Sequence, residues 1–397
     1  MKNKNKNFHL IENFKNLSLV LASILFSIYM LEIAYALYQV SSYKFNKWST
    51  NKLNRYDVYK DYKDSGKDAV VVVTAENYIS DHKAKHNFIP LAGISNKFTI
   101  SCNELGFWTT YHSDRYGFNN PDEMWNRSYF DFVLIGDSFT HGSCVREKDT
   151  ISGQLKKFGK VLNLGYPGNG PLVEYATLRE YFKNNLKSKY VLWFYYGNDS
   201  LEVEKEISNN ILIKYLKDKN FTQDLINNQK KIDYVAKNLM LKKAKKHENK
   251  KNILIRFDEI NLKEILFLQN LRHRLSWMFK VNLMRSTSSD KSHQEIKENI
   301  INFSKILFNA NKLVEENNSE MYFVYLPKYP GVYNDYNYSI YEKVIETVSN
   351  LNIPIIDFYP IFSSHPDPKS LFPLRRFGHY NEKGYKLIVE TAINKIK

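Results

Sequence analysis

The chain has 397 residues, of which 43% are hydrophobic and 25% charged, so a packed core is feasible and bulk disorder is excluded. Its formal net charge of +15 favours an anionic partner such as a lipid surface, although lysines that merely solvate the surface would give the same total. The sequence contains no zinc-finger, RNP or basic recognition-helix pattern, so nucleic acid is not predicted as a partner.

The N-terminus predicts a membrane anchor. A basic tail, residues 1–16, precedes a mostly apolar segment, residues 17–40, which is long enough to cross a hydrocarbon layer of ~30 Å. One charge, Glu32, interrupts the segment and would face a partner helix or the interface. Two alternatives remain, a signal peptide cleaved after Ala34-Tyr35-Ala36 and a buried core helix. We expect an uncleaved single-pass anchor, with the rest of the chain outside the cytoplasm, in the periplasm or extracellular space.

Residues 41–128 are predicted to form a stalk and a lead-in. Residues 41–70 are polar and lysine-rich, as in a stalk, whereas residues 88–128 contain several glycines and prolines with little helical periodicity, as in a loop-rich lead-in. The chain has two cysteines, Cys102 and Cys144, too few for a cysteine-based metal site. They form either one disulfide, if this part of the chain is extracytoplasmic, or two buried free thiols.

From residue 129 to residue 397, short apolar runs alternate with amphipathic stretches. The runs are nearly continuous, as in strands of a parallel sheet that is covered on both faces. This order predicts an α/β domain with five parallel strands in a three-layer sandwich. Residues 201–295 break the rhythm and predict an inserted helical subdomain. The predicted strands lie at 132–135, 161–164, 190–195, 321–326 and 353–356.

Four segments carry residues suited to nucleophilic catalysis. Ser138 in GDSFTHG follows the first predicted strand, at the edge where open α/β sheets bind ligands. Gly165 in NLGYPGNGP would let a substrate oxygen approach a backbone N–H, and Asn198 in YGND offers a neutral donor to an oxyanion. His379 in GHYNEKGY, before the last helix, is the residue type that usually accepts a proton from serine.

With these four blocks in this order, residues 129–397 resemble the SGNH/GDSL hydrolase family, and residues 113–122, SDRYGFNNPD, resemble the lead-in of its bacterial envelope members. The resemblance implies a flavodoxin-like fold with Ser138 as nucleophile and His379 as base. It also implies an oxyanion hole made by the N–H groups of Ser138 and Gly165 and by the Asn198 side chain. No metal or organic cofactor is expected.

One departure from the family pattern concerns the acid that supports the histidine. The family usually has aspartate three residues before it, but Arg376 occupies that position, and residues 370–380 contain no acid. Three explanations are open: a Ser–His dyad with a backbone carbonyl on the imidazole, a carboxylate supplied by Asp367 or Asp357, or loss of catalysis.

The sequence therefore predicts an esterase that removes acyl groups, with O-acetyl expected, from envelope glycans or lipids through an acyl-serine intermediate. The alternative within the enzyme class is an O-acyltransferase that modifies an envelope polysaccharide. Family members anchored in this way often work beside a separate membrane acyltransferase, which is a further expected partner. The alternative outside the enzyme class is a non-catalytic glycan-binding protein.

Overall fold

The computed structural model describes residues 13, 15–35, 37, 54–79, 88–104, 106–182, 186–197, 199–255, 265–268, 271–272, 288–330, 335–376 and 378–396. The chain divides into two compact units, one made of residues 1–52 and 246–292 and the other of residues 53–245 and 293–397.

The first unit contains helix α1, Lys15–Tyr35, the one helix in the described part of the chain that is long and apolar enough to cross a membrane. Its single acid, Glu32, is buried and accepts a hydrogen bond from the backbone N–H of Leu271 at 3.1 Å. The Tyr29 hydroxyl donates to the carbonyl of Leu266 at 3.2 Å. The polar groups of α1 are therefore satisfied within the chain, whereas its leucine and isoleucine side chains are largely exposed.

The second unit is built on a five-stranded parallel sheet, which confirms the predicted fold class. The strands are β4 (Tyr129–Ile135), β5 (Val161–Asn163), β6 (Lys187–Tyr196), β7 (Glu320–Leu326) and β8 (Ile355–Asp357), in the spatial order β5-β4-β6-β7-β8. Every neighbouring pair is parallel. Numbered within this sheet, the order is 2-1-3-4-5, which is the flavodoxin-like arrangement.

Both faces of this sheet are buried, which explains the near-continuous apolar runs. Val133 and Ile135 point into one core and Phe132 and Leu134 into the other, because side chains alternate along a strand. One face is covered by the pair α10 (Ser288–Glu316) and α11 (Asp335–Asn350), together with α6 (Pro171–Thr177) and α9 (Gln229–Ile255). The other is covered by α5 (Ile151–Leu155) and α13 (Glu382–Ile396). The remaining helices are α2 (Arg55–Asp64), α3 (Ala75–Ile79), α4 (Ser138–His141), α7 (Asp199–Ile207), α8 (Leu212–Lys217) and α12 (Tyr359–Ser363).

A small second sheet precedes the large one. Its strands are β1 (Ala69–Val71), β2 (Phe98–Ile100) and β3 (Thr110–His112), with β1 parallel to β2 and β2 antiparallel to β3. Residues 101–109 connect β2 to β3, and we call this segment the hairpin loop. It is closed by a hydrogen bond from the Ser101 N–H to the Thr109 carbonyl at 2.9 Å.

The lead-in motif, residues 113–122, is bound to the large sheet by buried hydrogen bonds. The Asp114 carboxylate accepts from the N–H groups of Tyr116 and Phe118 and from the side chains of Asn120 and Trp125, all at 2.7–2.9 Å. Asn120 in turn exchanges two 2.9 Å hydrogen bonds with the backbone of Asn163, at the end of β5. We call Asp114, Asn120 and Asn163 the buried brace, since they hold the lead-in against the carboxyl edge of the sheet.

Candidate active site

The turn after β4 presents Ser138 at the carboxyl edge of the sheet. Gly136 has a φ of +152°, and a Cβ there would collide with the side chain of Thr140 and the carbonyl of Phe194. Only glycine therefore suits this sharp turn. Asp137 then caps α4, its carboxylate accepting from the Phe139 N–H at 2.9 Å. Ser138 is the first residue of α4 and is half-buried.

The last block brings His379 to the same edge. His379 lies in the segment before α13, and its Nε2 is 2.8 Å from the Ser138 Oγ. This distance is within hydrogen-bonding reach and allows direct proton transfer between the two groups. Two residues separated by 241 positions in the sequence are thus brought together by the fold.

The other nitrogen of His379 faces a carboxylate that the sequence analysis missed. Glu104, in the hairpin loop, accepts from the His379 ring Nδ1 at 2.8 Å and from the His379 backbone N–H at 2.8 Å. The two carboxylate oxygens thus hold both the ring and the backbone of one residue. Gly378 leaves room for this contact, because a Cβ there would lie 2.6 Å from Glu104 Oε2.

The ionisation of Glu104 fixes the tautomer of the imidazole. Burial raises the pKa of Glu104, but the hydrogen bonds and charge of His379 outweigh burial and hold that pKa below its ordinary value. Glu104 is therefore an ionised acceptor at neutral pH, and Nδ1 must carry the proton that it accepts. In the neutral imidazole Nε2 is then unprotonated, which is the form that can accept the Ser138 proton.

Neither of the two acids considered from the sequence supports His379. Asp367 binds the guanidinium of Arg375, with distances of 2.5 and 2.9 Å, and both side chains are exposed. Asp357 accepts from the Tyr341 hydroxyl at 2.6 Å and from the Tyr359 N–H at 2.8 Å. A bare Ser–His dyad is also ruled out, because the Glu104 carboxylate occupies the place of the expected acid.

A signal for Glu104 was present in the sequence. Cys102 precedes it by two residues, and Cys144 follows Ser138 by six. The two cysteines form a disulfide, with Cα atoms 5.0 Å apart. Had this pairing been assumed, it would have placed residues 102–104 beside the Ser138 turn and pointed to Glu104 as the missing acid.

Gly165 differs from the expectation in its hydrogen bonding. Its N–H donates to the Asn163 side chain at 2.9 Å, so it is already engaged and is not a free donor for an oxyanion. A Cβ at Gly165 would lie 2.6 Å from the Thr140 side chain and 2.9 Å from the His141 backbone nitrogen, so glycine is needed here for close packing of β5 against α4. Asn198, the other expected oxyanion donor, lies outside the described residues.

His141, three residues after Ser138, packs away from the reacting groups. It is 1% exposed and contacts the rings of Tyr111 and Tyr166 edge-on, at centroid distances of 4.7 and 5.8 Å. Burial, with a smaller contribution from the charge of His379, lowers the pKa of His141 to about 3. It is therefore neutral at physiological pH and belongs to the core.

No protein-family profile matches the chain, and no curated protein is similar to it in sequence. Structural similarity is found to a lipolytic protein of the G-D-S-L family from Desulfitobacterium hafniense (14% identity, TM-score 0.36, covering 68% of this chain and 99% of that one). A G-D-S-L lipolytic protein from Veillonella parvula is similar at 12% identity and a TM-score of 0.36, covering 66% of this chain and 96% of that one. A lipase/acylhydrolase from Enterococcus faecalis is similar at 14% identity and a TM-score of 0.34, covering 67% of this chain and 94% of that one. Likeness this weak carries no argument about activity, which must be inferred from the site itself.

Proposed function

We propose that this chain is a serine ester hydrolase in which Ser138 is the nucleophile, His379 the general base and Glu104 the acid that orients the imidazole. The observation that carries the proposal is the continuous hydrogen-bonded series from Glu104 through His379 to Ser138, with both side-chain distances 2.8 Å. Three groups of these types in this order form the constellation that activates a serine hydroxyl.

The reaction proceeds in two halves. Ser138 Oγ attacks the ester carbonyl carbon while its proton passes to His379 Nε2, and the protonated imidazole then gives this proton to the departing alcohol. Water attacks the resulting acyl-serine with His379 again as base, releasing the carboxylic acid and restoring the hydroxyl. Throughout, the Glu104 carboxylate stabilises the imidazolium and keeps the ring in place.

Backbone N–H groups near Ser138 would stabilise the oxyanion. The Ser138 N–H, at the start of α4, is the first proposed donor. The Gly165 N–H, the second donor of the predicted hole, would have to leave the Asn163 side chain to bind an oxyanion. Asn198 remains a proposed third donor.

The proposed substrate class rests on the expected location of the chain at a membrane outside the cytoplasm. Helix α1 is long and apolar enough to anchor the chain, and a disulfide persists in oxidising compartments outside the cytoplasm. We therefore propose acyl esters of cell-envelope glycans or lipids, O-acetyl esters first, as substrates met at a membrane surface. If an acceptor hydroxyl replaced water in the second half-reaction, the same residues would transfer the acyl group, in concert with a membrane acyl donor.

The test uses the intact chain and a small acetyl ester such as p-nitrophenyl acetate. A fluorophosphonate probe should label Ser138, identified by peptide mass spectrometry, and Ser138→Ala should abolish labelling and lower kcat/KM by at least ~10³-fold. An unlabelled, folded protein without esterase activity would favour the non-catalytic glycan-binding alternative. Adding a glycan acceptor and analysing the products distinguishes free acetate from acetylated glycan.

A further inference from the structure

The Cys102–Cys144 disulfide joins the two segments that supply the acid and the nucleophile. Cys102 lies in the hairpin loop, two residues before Glu104. Cys144 lies just after α4, whose first residue is Ser138 and whose C-cap is Gly142. The bridge therefore ties the loop carrying the acid directly to the turn carrying the nucleophile.

The hydrogen bonds of the hairpin loop do not provide this tie. The Thr109 N–H donates to the Cys102 carbonyl at 2.7 Å, and the Gly106 N–H donates to the Asn103 side chain at 2.9 Å. These bonds close the loop on itself, and Trp108, four residues after Glu104, packs against the core of the large sheet. In the described part of the loop, the Glu104 carboxylate and the disulfide are the polar and covalent links to the segments that carry His379 and Ser138.

The bridge also lies against the imidazole. Cys144 Sγ is 3.4 Å from His379 Nδ1, the nitrogen that faces Glu104. A disulfide sulfur is a weak acceptor, so the Nδ1 proton is donated to the nearer, charged oxygen of Glu104. Cys144 is 1% exposed and has a φ of +68°, in the left-handed region that a non-glycine residue rarely adopts. The backbone at this point is therefore held by its surroundings, of which the bridge is one part.

We propose that Cys102 and Cys144 are positioning residues whose disulfide holds Glu104 against His379, so that the reaction proposed above depends on the oxidised bridge. This inference rests on the proposed function. A dithiol reductant would transfer two electrons and two protons, yielding two cysteine thiols and a cyclic disulfide. The released loop would then sample more conformations, and the carboxylate would spend less time on Nδ1.

The experiment compares the pH profile of kcat/KM for the intact chain, oxidised and after reduction with dithiothreitol, and for the Cys102→Ser/Cys144→Ser variant. Displacement of a catalytic group by about 1 Å can cost ~10²-fold, and we expect a loss of that size in both reduced forms. The acid limb of the profile should move to lower pH, because a protonated imidazole without its carboxylate is less stable. Reoxidation of the wild-type chain should restore both kcat/KM and the original position of the acid limb.

Glu104→Gln provides the matched control. In that background reduction should leave kcat/KM and its pH profile unchanged, because the group that the bridge positions is already gone. A general loosening of the fold would instead lower activity in both backgrounds without moving the acid limb. EDTA is present throughout, since the two freed thiols, Glu104 and His379 offer ligand atoms within 4.8 Å of one another and would otherwise capture metal ions.

Two results would overturn the proposal: a reduced chain that keeps the oxidised rate and profile, or a Glu104→Gln chain that loses as much on reduction as the wild type does. Circular dichroism shows whether the double-serine variant folds, and if it does not, reversible reduction of the wild-type chain decides. Failure of the hydrolase proposal itself would appear separately, as an oxidised chain in which Ser138→Ala changes nothing.

Discussion

Two carboxylates lie near the same edge of the large sheet and differ in what they bind. Glu104 is about one-quarter exposed and binds an imidazole that can take up a proton, and its pKa is lowered. Asp114, in the buried brace, is 1% exposed and binds only neutral donors, and burial outweighs those hydrogen bonds to raise its pKa to about 6. The difference teaches that depth of burial and a partner able to become charged, more than the number of hydrogen bonds, decide whether a carboxylate stays ionised.

The largest expected effect is a loss of kcat when the charge of Glu104 is removed. Glu104→Gln keeps the shape of the side chain but removes the charge that stabilises the imidazolium, and the loss in kcat should approach ~10⁴-fold. The midpoint of thermal unfolding should change little, because the site is partly solvated. Steady-state kinetics with a small acetyl ester measure kcat, and calorimetry measures the midpoint of thermal unfolding.

Asp367→Asn is the matched control, since it neutralises the acid that sequence reasoning placed near His379 but that binds Arg375 instead. It should leave kcat/KM within a factor of about two. A loss of activity in Asp367→Asn equal to that in Glu104→Gln would contradict the assignment of Glu104.

The next effect concerns stability. Asp114→Asn would turn an amide NH2 toward the donors of Asn120 and Trp125, so that buried donors oppose one another. Leaving buried donors unsatisfied costs ~1–3 kcal/mol, and we expect the free energy of unfolding to fall by about 2 kcal/mol. Urea denaturation measures the change. The folded variant should retain kcat within about threefold, whereas a large loss of kcat in fully folded protein would show that the brace also positions reacting groups.

The smallest effect is a pH dependence of stability. Burial raises the pKa of Glu206 to about 7, although the carboxylate accepts from the N–H groups of Gly170 and Leu172. With Asp114 at about 6, the folded chain binds protons more tightly than the unfolded chain between about pH 5 and pH 7. His141 opposes this trend, because its folded pKa of about 3 lets only the unfolded chain bind its proton in this range. The free energy of unfolding should therefore rise by only about 1 kcal/mol as pH falls from 8 to 5.5.

Glu206→Gln should abolish this rise, because the contribution of His141 then offsets that of Asp114. Urea denaturation at several pH values measures the change. The contribution of Glu104 has the opposite sign: because its folded pKa is lowered, its stabilisation is present above the ordinary pKa and lost only as pH falls through the folded value. A wild-type chain that loses stability steadily from pH 8 to pH 5.5 would contradict the raised pKa values.

The sheet could be predicted because its physical cause is local. Strands buried on both faces must be apolar at nearly every position, so each one is visible in a short window of sequence. Ser138 and His379 could be located for a related reason, since each directly adjoins an element with a clear pattern. The tail, anchor, stalk and insertion boundaries proposed from composition are not tested by the structure and remain predictions.

Glu104 could not be predicted from local pattern, because its role arises from a contact across 275 positions. Nothing in the hairpin loop distinguishes this acid from the other glutamates of the chain except its distance from Cys102. The hydrogen bond that occupies the Gly165 N–H could not be predicted from the sequence either, because it depends on the rotamer of Asn163. Sequence therefore located the serine and the histidine but not the atoms that surround them.

On the proposed function, the position of Glu104 sets where the smallest active fragment of this protein must begin. A fragment starting at residue 129, where the large sheet begins, would contain Ser138 and His379 but would omit Glu104, Cys102 and the small sheet that carries them. Such a fragment would expose the face that the lead-in now covers and would leave Cys144 unpaired. On that proposal, expression, inhibitor screening and fusion designs all need the segment from β1 onward together with the large sheet.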